Sequence, residues 1–323
     1  MTEATGSVPA AARRIGDVVV CGAGAVGSSY VDRLQQLDPS LVRVLANGAR
    51  RARLERDGLE VNGRAFAVRC LSTGEATAPA DLVLVAVKQH HLARAIGELR
   101  GVVGPGTIVV SLLNGITSEG ELARAFGAER VLHAFTLGND VVREGHRTRY
   151  TSIGKLVVGV ATNDPGDPRV RAVRDLAERA GIPVVVPADI LREQWWKFVL
   201  NVGVNQVSAV LRAPYRAFRD VAEVRELTRL AASEAVAVAQ RSGVALGADD
   251  VERIFPILEG LSPEGKTSML QDVEAGRKTE VELFAGTVTE LGARLGVPTP
   301  VNAVLWMLIR ALEQLAPPAG ERR

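Results

Sequence analysis

The sequence predicts a doubly wound α/β domain followed by an all-helical domain. Short β-branched runs alternate with helical periods up to about residue 187, and a glycine-rich turn joins the first run to the first helical period. Beyond Pro187 no convincing strand recurs. A β-α-β-α order builds a parallel sheet covered by helices on both faces, and the change to purely helical periodicity marks a second domain. The chain therefore divides into an N-terminal tail, residues 1–14, a sheet domain, 15–187, and a helical domain, 188–323.

The elements follow in order. The tail has no basic segment followed by an apolar core, so it does not read as a secretory signal. Asp17–Cys21 is a strand, and Ala25–Gln36 is a helix because Val26, Tyr30 and Leu34 share one face. Leu41–Ala46 is the second strand. Asp81–Val87 is apolar with no alternation, the pattern of a strand covered on both faces, and Thr107–Leu112 is another. Thr148–Ile153 and Lys155–Val160 read as a hairpin around Gly154, followed by a helix at Val170–Ala180 and a strand at Ile182–Val186. The second domain reads as helices at Arg192–Leu211, Val221–Ser242, Ala248–Leu258, Lys278–Leu295 and Val301–Leu315. Gly243, Gly260, Gly296 and the Pro298/Pro300 pair stand where these should stop.

Gly22-Ala23-Gly24-Ala25-Val26-Gly27 follows the first strand and opens the first helix. In that context G-x-G-x-x-G is a dinucleotide cradle. The first glycine permits the turn, the second lets the backbone approach a pyrophosphate, and the third lets helix and strand pack closely. The helix N-terminus then favours the anion. The first domain is thus Rossmann-type and dinucleotide-binding. A site for NAD places an acid at the end of the second strand. Here that end reads Ala46-Asn47-Gly48-Ala49-Arg50-Arg51-Ala52-Arg53, with no acid and three arginines. The arginines suit either a solvated helix face or a 2′-phosphate, and the missing acid favours the phosphate and hence NADP. Asn47 and Arg50 are the expected contacts.

Composition narrows the function. Of 323 residues, 39 are Lys or Arg and 37 Asp or Glu, a net charge of +2 that carries no footprint for nucleic acid or an anionic membrane. No apolar stretch reaches the roughly 18 residues of a membrane span. Cys21 and Cys70 are the only cysteines, which fits a reducing compartment and a cytoplasmic protein. His90, His91, His133 and His146 form no metal-ligand spacing, and no metal is expected.

In the helical domain Lys197, Asn201 and Asn205 recur every four residues, one stripe of a helix. One cation and two amides among Phe198, Val199, Leu200, Val202 and Val204 read equally as a solvated face or as a site, since buried Lys and Asn need partners. Asn114 follows the strand ending at Leu112, at the carboxyl end where doubly wound sheets bind ligands; Asn114-Gly115 is also a common turn. Glu280 stands beside Lys278 and Glu282 and reads on its own as a surface charge.

Together the glycine loop, Asn114-Gly115, the run Trp195–Asn205 with its Lys-x-x-x-Asn-x-x-x-Asn spacing, and Ser268-Met269-Leu270-Gln271-Asp272 with Glu280 twelve residues after Ser268 resemble the signatures of the ketopantoate reductase family, from about residue 15 to 312. The resemblance implies NADPH-dependent reduction of a 2-oxo acid to a 2-hydroxy acid. It implies Lys197 as general acid and Asn201 and Asn205 as substrate contacts. Glu280 would hydrogen-bond a substrate hydroxyl, and Ser268 would contact the carboxylate. Asn114 would touch nicotinamide or substrate, and Lys88, at the end of its strand, would be a secondary cofactor residue. The cofactor is expected across the carboxyl ends of the strands, with substrate between the domains; a small 2-oxo acid is the expected partner, and a homodimer is the assembly allowed for. Three positions depart from the family pattern. Asn47 stands where Arg is frequent, Gln206 where Pro is common, and Pro214-Tyr215-Arg216-Ala217 replaces a Pro-Asn-Gly-Glu stretch. Tyr215 is therefore expected near the substrate and to shift specificity from ketopantoate.

Overall fold

A computed structural model describes residues 14–75 and 78–315. Residues 1–13 of the expected tail lie outside them. Two compact units result: the first runs to Leu113 and resumes at Ser118–Ile190, and the second comprises Asn114–Thr117 and the chain from Leu191.

The first unit is built on β1 (Val18–Cys21), β2 (Val42–Leu45), β3 (Leu59–Val61), β4 (Arg64–Phe66), β5 (Cys70–Leu71), β6 (Leu82–Val85), β7 (Ile108–Ser111), β8 (Val131–Leu137), β9 (Val142–Glu144), β10 (Arg147–Arg149), β11 (Lys155–Gly159) and β12 (Val184–Val185). Its helices are α1 (Ala25–Leu37), α2 (Gly48–Asp57), α3 (Leu92–Leu99), α4 (Ser118–Phe126) and α5 (Pro168–Arg179). The main sheet has the order β12-β11-β8-β7-β6-β1-β2-β5, and β4-β3-β10-β9 form a second sheet. β1 pairs in parallel with both β2 and β6, so the chain reverses direction across the sheet at β1, the switch point where such sheets bind ligands. The apolar runs are buried on both faces. Val18 and Val20 join one core with Tyr30 and Leu34, while Val19 and Cys21 join the other with Val83, Val85 and Leu92.

The structure corrects the expected hairpin around Gly154. β11 pairs antiparallel with β8, and the hairpin is β9–β10 around Gly145, whose φ is +60°. Asp140 accepts from the Thr151 and Ser152 amides at 2.9 and 2.8 Å, which ends strand pairing after Arg149. Gly154, with φ +74°, passes so close to β8 that a Cβ would lie 2.5 Å from the Leu137 carbonyl.

The second unit contains α6 (Ile190–Leu211, from Leu191), α7 (Ala217–Asp220), α8 (Ala222–Arg241), α9 (Ala248–Glu252), α10 (Ile254–Glu259), α11 (Ser268–Glu274), α12 (Thr287–Leu295) and α13 (Pro300–Leu315). The helix expected over Ala248–Leu258 is split, because Pro256 has no N–H for the ladder. The one expected over Lys278–Leu295 starts later. Thr279 is held by the Glu313 carboxylate through its amide and hydroxyl, and a π turn at Glu282–Gly286 precedes α12. Gln206 explains that turn. Its Oε1 accepts from the Ala285 amide at 3.0 Å, while its Nε2 donates to Val202 O and Asn302 Oδ1. This fully satisfied buried amide fastens the π turn and α13 to α6. Among the described residues no helix is long and apolar enough to cross a membrane.

Candidate active site

In the first unit the glycine loop has the geometry a dinucleotide cradle needs. Gly22 has φ +107°, and a Cβ there would meet the Ala86 carbonyl carbon at 2.6 Å. At Gly27 a Cβ would lie 1.8 Å from the Gly22 carbonyl oxygen, so helix and loop could not close. Gly24 is the opposite case. Nothing lies within 4 Å of its missing Cβ, and it opens α1 with no side-chain cap. The first amides of α1 therefore face open space beside a bare backbone, as a pyrophosphate requires. Ala23, Ala25 and Val26 complete the loop, with Ala23 buried and the other two partly exposed.

Beyond the end of β2, Asn47, Gly48, Arg50, Val87, His91 and Arg94 help line a cavity of about 460 Å³. Asn47 shapes this turn rather than presenting a free amide. Its Nδ2 donates to Thr73 Oγ1 and its Oδ1 accepts from the Thr73 amide, both at 2.9 Å. Arg51, one of the three arginines after β2, is bound by Glu55, Ser72 and Glu75 and is unavailable to a phosphate. Arg50 and Arg53 are exposed and make no hydrogen bond or ion pair among the described residues, which leaves both guanidinium groups available to an anion. Replacing Arg50 with Ala is expected to raise KM for NADPH by about tenfold, one charge-assisted contact, and to leave NADH nearly untouched. An unchanged KM for both cofactors in steady-state kinetics would show that Arg50 faces solvent, and an equal rise for both would put it on a part they share. Lys88 is half-buried three residues beyond β6, at the start of the short turn Gln89–His91.

In the second unit Lys197, Asn201 and Asn205 lie on successive turns of α6. Asn201 is buried, and its Nδ2 lies 3.5 Å from Asn114 Oδ1. Asn114 Nδ2 donates to Glu280 Oε2 at 3.2 Å. The Asn114-Gly115 turn can reach this place because Gly115, φ +91°, lies against Leu283, where a Cβ would sit 2.5 Å from Cδ1. Three of the expected residues, Asn114, Asn201 and Glu280, are thus one connected set, with Lys197 a turn away on the same stripe. Asn205 is 8% exposed and makes no side-chain hydrogen bond among the described residues, a buried amide on the stripe of Lys197 and Asn201. Ser268 is exposed at the first position of α11, whose cap is Thr267. Among the described residues no hydrogen bond ties Ser268 to Asn114, Asn201 or Glu280. Tyr215 is half-buried; its amide donates to Gly265 O at 2.9 Å and its ring packs on Gly265, in the loop leading to Ser268.

Lys197 is only partly accessible, and burial pushes its ammonium down to about 8. No ion pair opposes this among the described residues, so the lysine is an acid poised near neutrality.

Two family models match. "Ketopantoate reductase PanE/ApbA" covers residues 18–163, and "Ketopantoate reductase PanE/ApbA C terminal" covers 189–313. A 2-dehydropantoate 2-reductase of Archaeoglobus fulgidus is 30% identical over 303 residues, 93% of this chain and 99% of its own. The chain belongs to the ketopantoate reductase family. Among solved structures, 2-dehydropantoate 2-reductase from Geobacter metallireducens GS-15 superposes with a TM-score of 0.81 at 27% identity, covering 91% of this chain and 99% of the other. D-mandelate dehydrogenase in complex with NADH shares the fold, with a TM-score of 0.84 at 19% identity over 92% of this chain and 99% of the other. As a ketopantoate reductase family member the chain is an NADP-dependent oxidoreductase, and the open cradle at Gly24 and the acid-free end of β2 fit that cofactor.

Sequence reasoning missed Arg143. Its guanidinium donates to the Ala23 carbonyl inside the glycine loop. Only the β9–β10 pairing brings it there, and no local spacing signals it.

Proposed function

We propose that the protein reduces the C2 carbonyl of ketopantoate, or of a close 2-oxo acid analogue, with Lys197 as proton donor and Glu280 as substrate anchor. The observation that carries this reading is a partly accessible lysine of lowered pKa, with no ion pair among the described residues, on one stripe with Asn201, which meets the Asn114–Glu280 pair. Bound NADPH supplies the hydride that C2 receives. Lys197 then has two tasks: its charge stabilises the oxyanion that grows on the carbonyl oxygen, and its Nζ proton completes the hydroxyl. Asn201 and Asn205 orient the oxo acid with their amides, and the Ser268 hydroxyl binds the carboxylate. Glu280, steadied by the Asn114 amide, accepts a hydrogen bond from a hydroxyl remote from the carbonyl. Asn114 contacts nicotinamide or substrate, and Lys88 adds charge for the cofactor. Both cysteines are free thiols, which fits a reducing compartment, and we place the reaction in the cytoplasm, in pantothenate biosynthesis.

Tyr215 supports a second reading of the substrate. It packs in the loop leading to Ser268, where the family pattern has a small amide, and a ring there favours a different 2-oxo acid over ketopantoate.

The pH profile tests the lysine. A general acid must be protonated, and the folded pKa of Lys197 lies at about 8, below its ordinary 10.5. The kcat/KM for reduction is therefore expected to be level below about pH 8 and to fall tenfold per unit above it, with alcohol oxidation showing the opposite slope. A reduction profile flat up to about pH 10 would exclude Lys197 as the acid.

A further inference from the structure

We propose that Arg143, on the β9–β10 hairpin, is with Arg50 and Arg53 an arginine of the site for the cofactor's 2′-phosphate. The inference rests on the NADP reading above. Arg143 is half-buried, and its Nη1 donates to the carbonyl of Ala23, between the first two glycines of the cradle. Its Nε donates to Gly145 O at 3.0 Å, and Nη2 has no partner among the described residues. The fork is therefore oriented by backbone carbonyls and keeps a donor to give.

The hairpin's register holds it there. Thr148 lies directly across from Arg143 in the antiparallel pair. Thr148 is buried, and its Oγ1 lies 2.8 Å from Ser28 Oγ in the first turns of α1. The Ser28 amide in turn donates to Gly24 O at 2.9 Å. A one-residue slip would turn Thr148 away from Ser28 and Arg143 away from the loop.

Charge then points to an anion. Burial, followed by the charges of Arg53 and Arg50, lowers the pKa of Arg143, and no carboxylate among the described residues counters them. The neighbouring arginines of α2 are treated differently: Arg51 is paired with Glu55 and Glu75, and Arg56 with Asp57. Arg50 and Arg53 have no such partner among the described residues. Like charges gathered around a half-buried guanidinium destabilise the fold unless a ligand anion compensates. A 2′-phosphate, with roughly −1.5 to −2 charge, does so. The pyrophosphate has the bare amides of α1 at Gly24, while Arg50 and Arg53 follow β2, the strand whose end meets the adenosine ribose.

The test is calorimetric titration of the full chain with 2′,5′-ADP and with 5′-ADP. Wild type is expected to bind 2′,5′-ADP more tightly. Arg143→Met is expected to weaken 2′,5′-ADP by about tenfold or more and to leave 5′-ADP within about twofold. An equal loss for both ligands, or no loss, would overturn the proposal. Arg143→Lys, which keeps the charge and loses the fork, is expected to lose about threefold for 2′,5′-ADP alone, and it decides the matter if thermal melting shows Arg143→Met unfolded. Unchanged 2′,5′-ADP binding in Arg143→Lys would then overturn the proposal. Equal wild-type affinity for the two fragments would instead overturn the NADP reading, and this proposal with it.

Discussion

Replacing Lys197 with Ala is expected to lower kcat by roughly 10²–10⁴-fold while leaving NADPH affinity intact. The variant loses a proton source and a cation beside the developing alkoxide. The second effect alone is worth about 10²–10³-fold, but the two share one residue and one proton and do not multiply. The loss is large because the α6 stripe offers no second acid. The lysine's neighbours on it, Asn201 and Asn205, are amides that cannot act as acids at neutral pH. Lys197→Arg separates the two tasks. Its guanidinium keeps the charge but holds its proton far too tightly to give it up, so it is expected to recover only part of the loss. Steady-state kinetics with NADPH affinity measured by fluorescence checks both variants. An Ala variant retaining more than about a tenth of wild-type kcat would contradict the proton-donor role.

Glu280→Ala is expected to differ in kind. KM for the oxo acid should rise roughly tenfold to a hundredfold, the range for a hydrogen bond to a charged group, while kcat falls less than about tenfold. A hydroxyl remote from the carbonyl changes little on the way to the transition state, so its anchor contributes to binding in both states. Some kcat loss follows because the carboxylate also holds the Asn114 amide at 3.2 Å, and a freed Asn114 lets the carbonyl drift from the hydride. Glu280→Gln keeps an acceptor and is expected to fall between the two. A Glu280→Ala enzyme whose KM is unchanged while kcat drops as far as in Lys197→Ala would mean that Glu280 takes part in the chemistry.

What the sequence revealed depended on the range of each interaction. The glycine loop and the Lys197–Asn205 stripe are local, written in spacings of a few residues, and both were legible. The long buried strands were legible for the same reason, since Leu82–Val85 and Ile108–Ser111 are apolar without a break. The second sheet was not. Arg64–Phe66 and Arg147–Arg149 are three-residue strands that each open on an exposed arginine, and between them only Thr148 is buried. That Arg51 is already paired is not legible locally, because its partners Ser72 and Glu75 arrive from beyond β5. The contacts that assemble the site are longer still. Asn114 meets Glu280 across 166 residues, and Arg143 meets Ala23 across 120. The family resemblance had joined Asn114 and Glu280 in one site, but no pattern in the chain announced Arg143.

The most direct test of the central claim is to mix the purified protein with NADPH and ketopantoate and to follow the reduced-nicotinamide absorbance and the product together. The expected result is loss of NADPH matched mole for mole by pantoate, or by the 2-hydroxy acid of a close analogue if Tyr215 has shifted the preference. No NADPH oxidation with ketopantoate or with any member of a 2-oxo acid panel, by a protein that still binds NADPH, would contradict it.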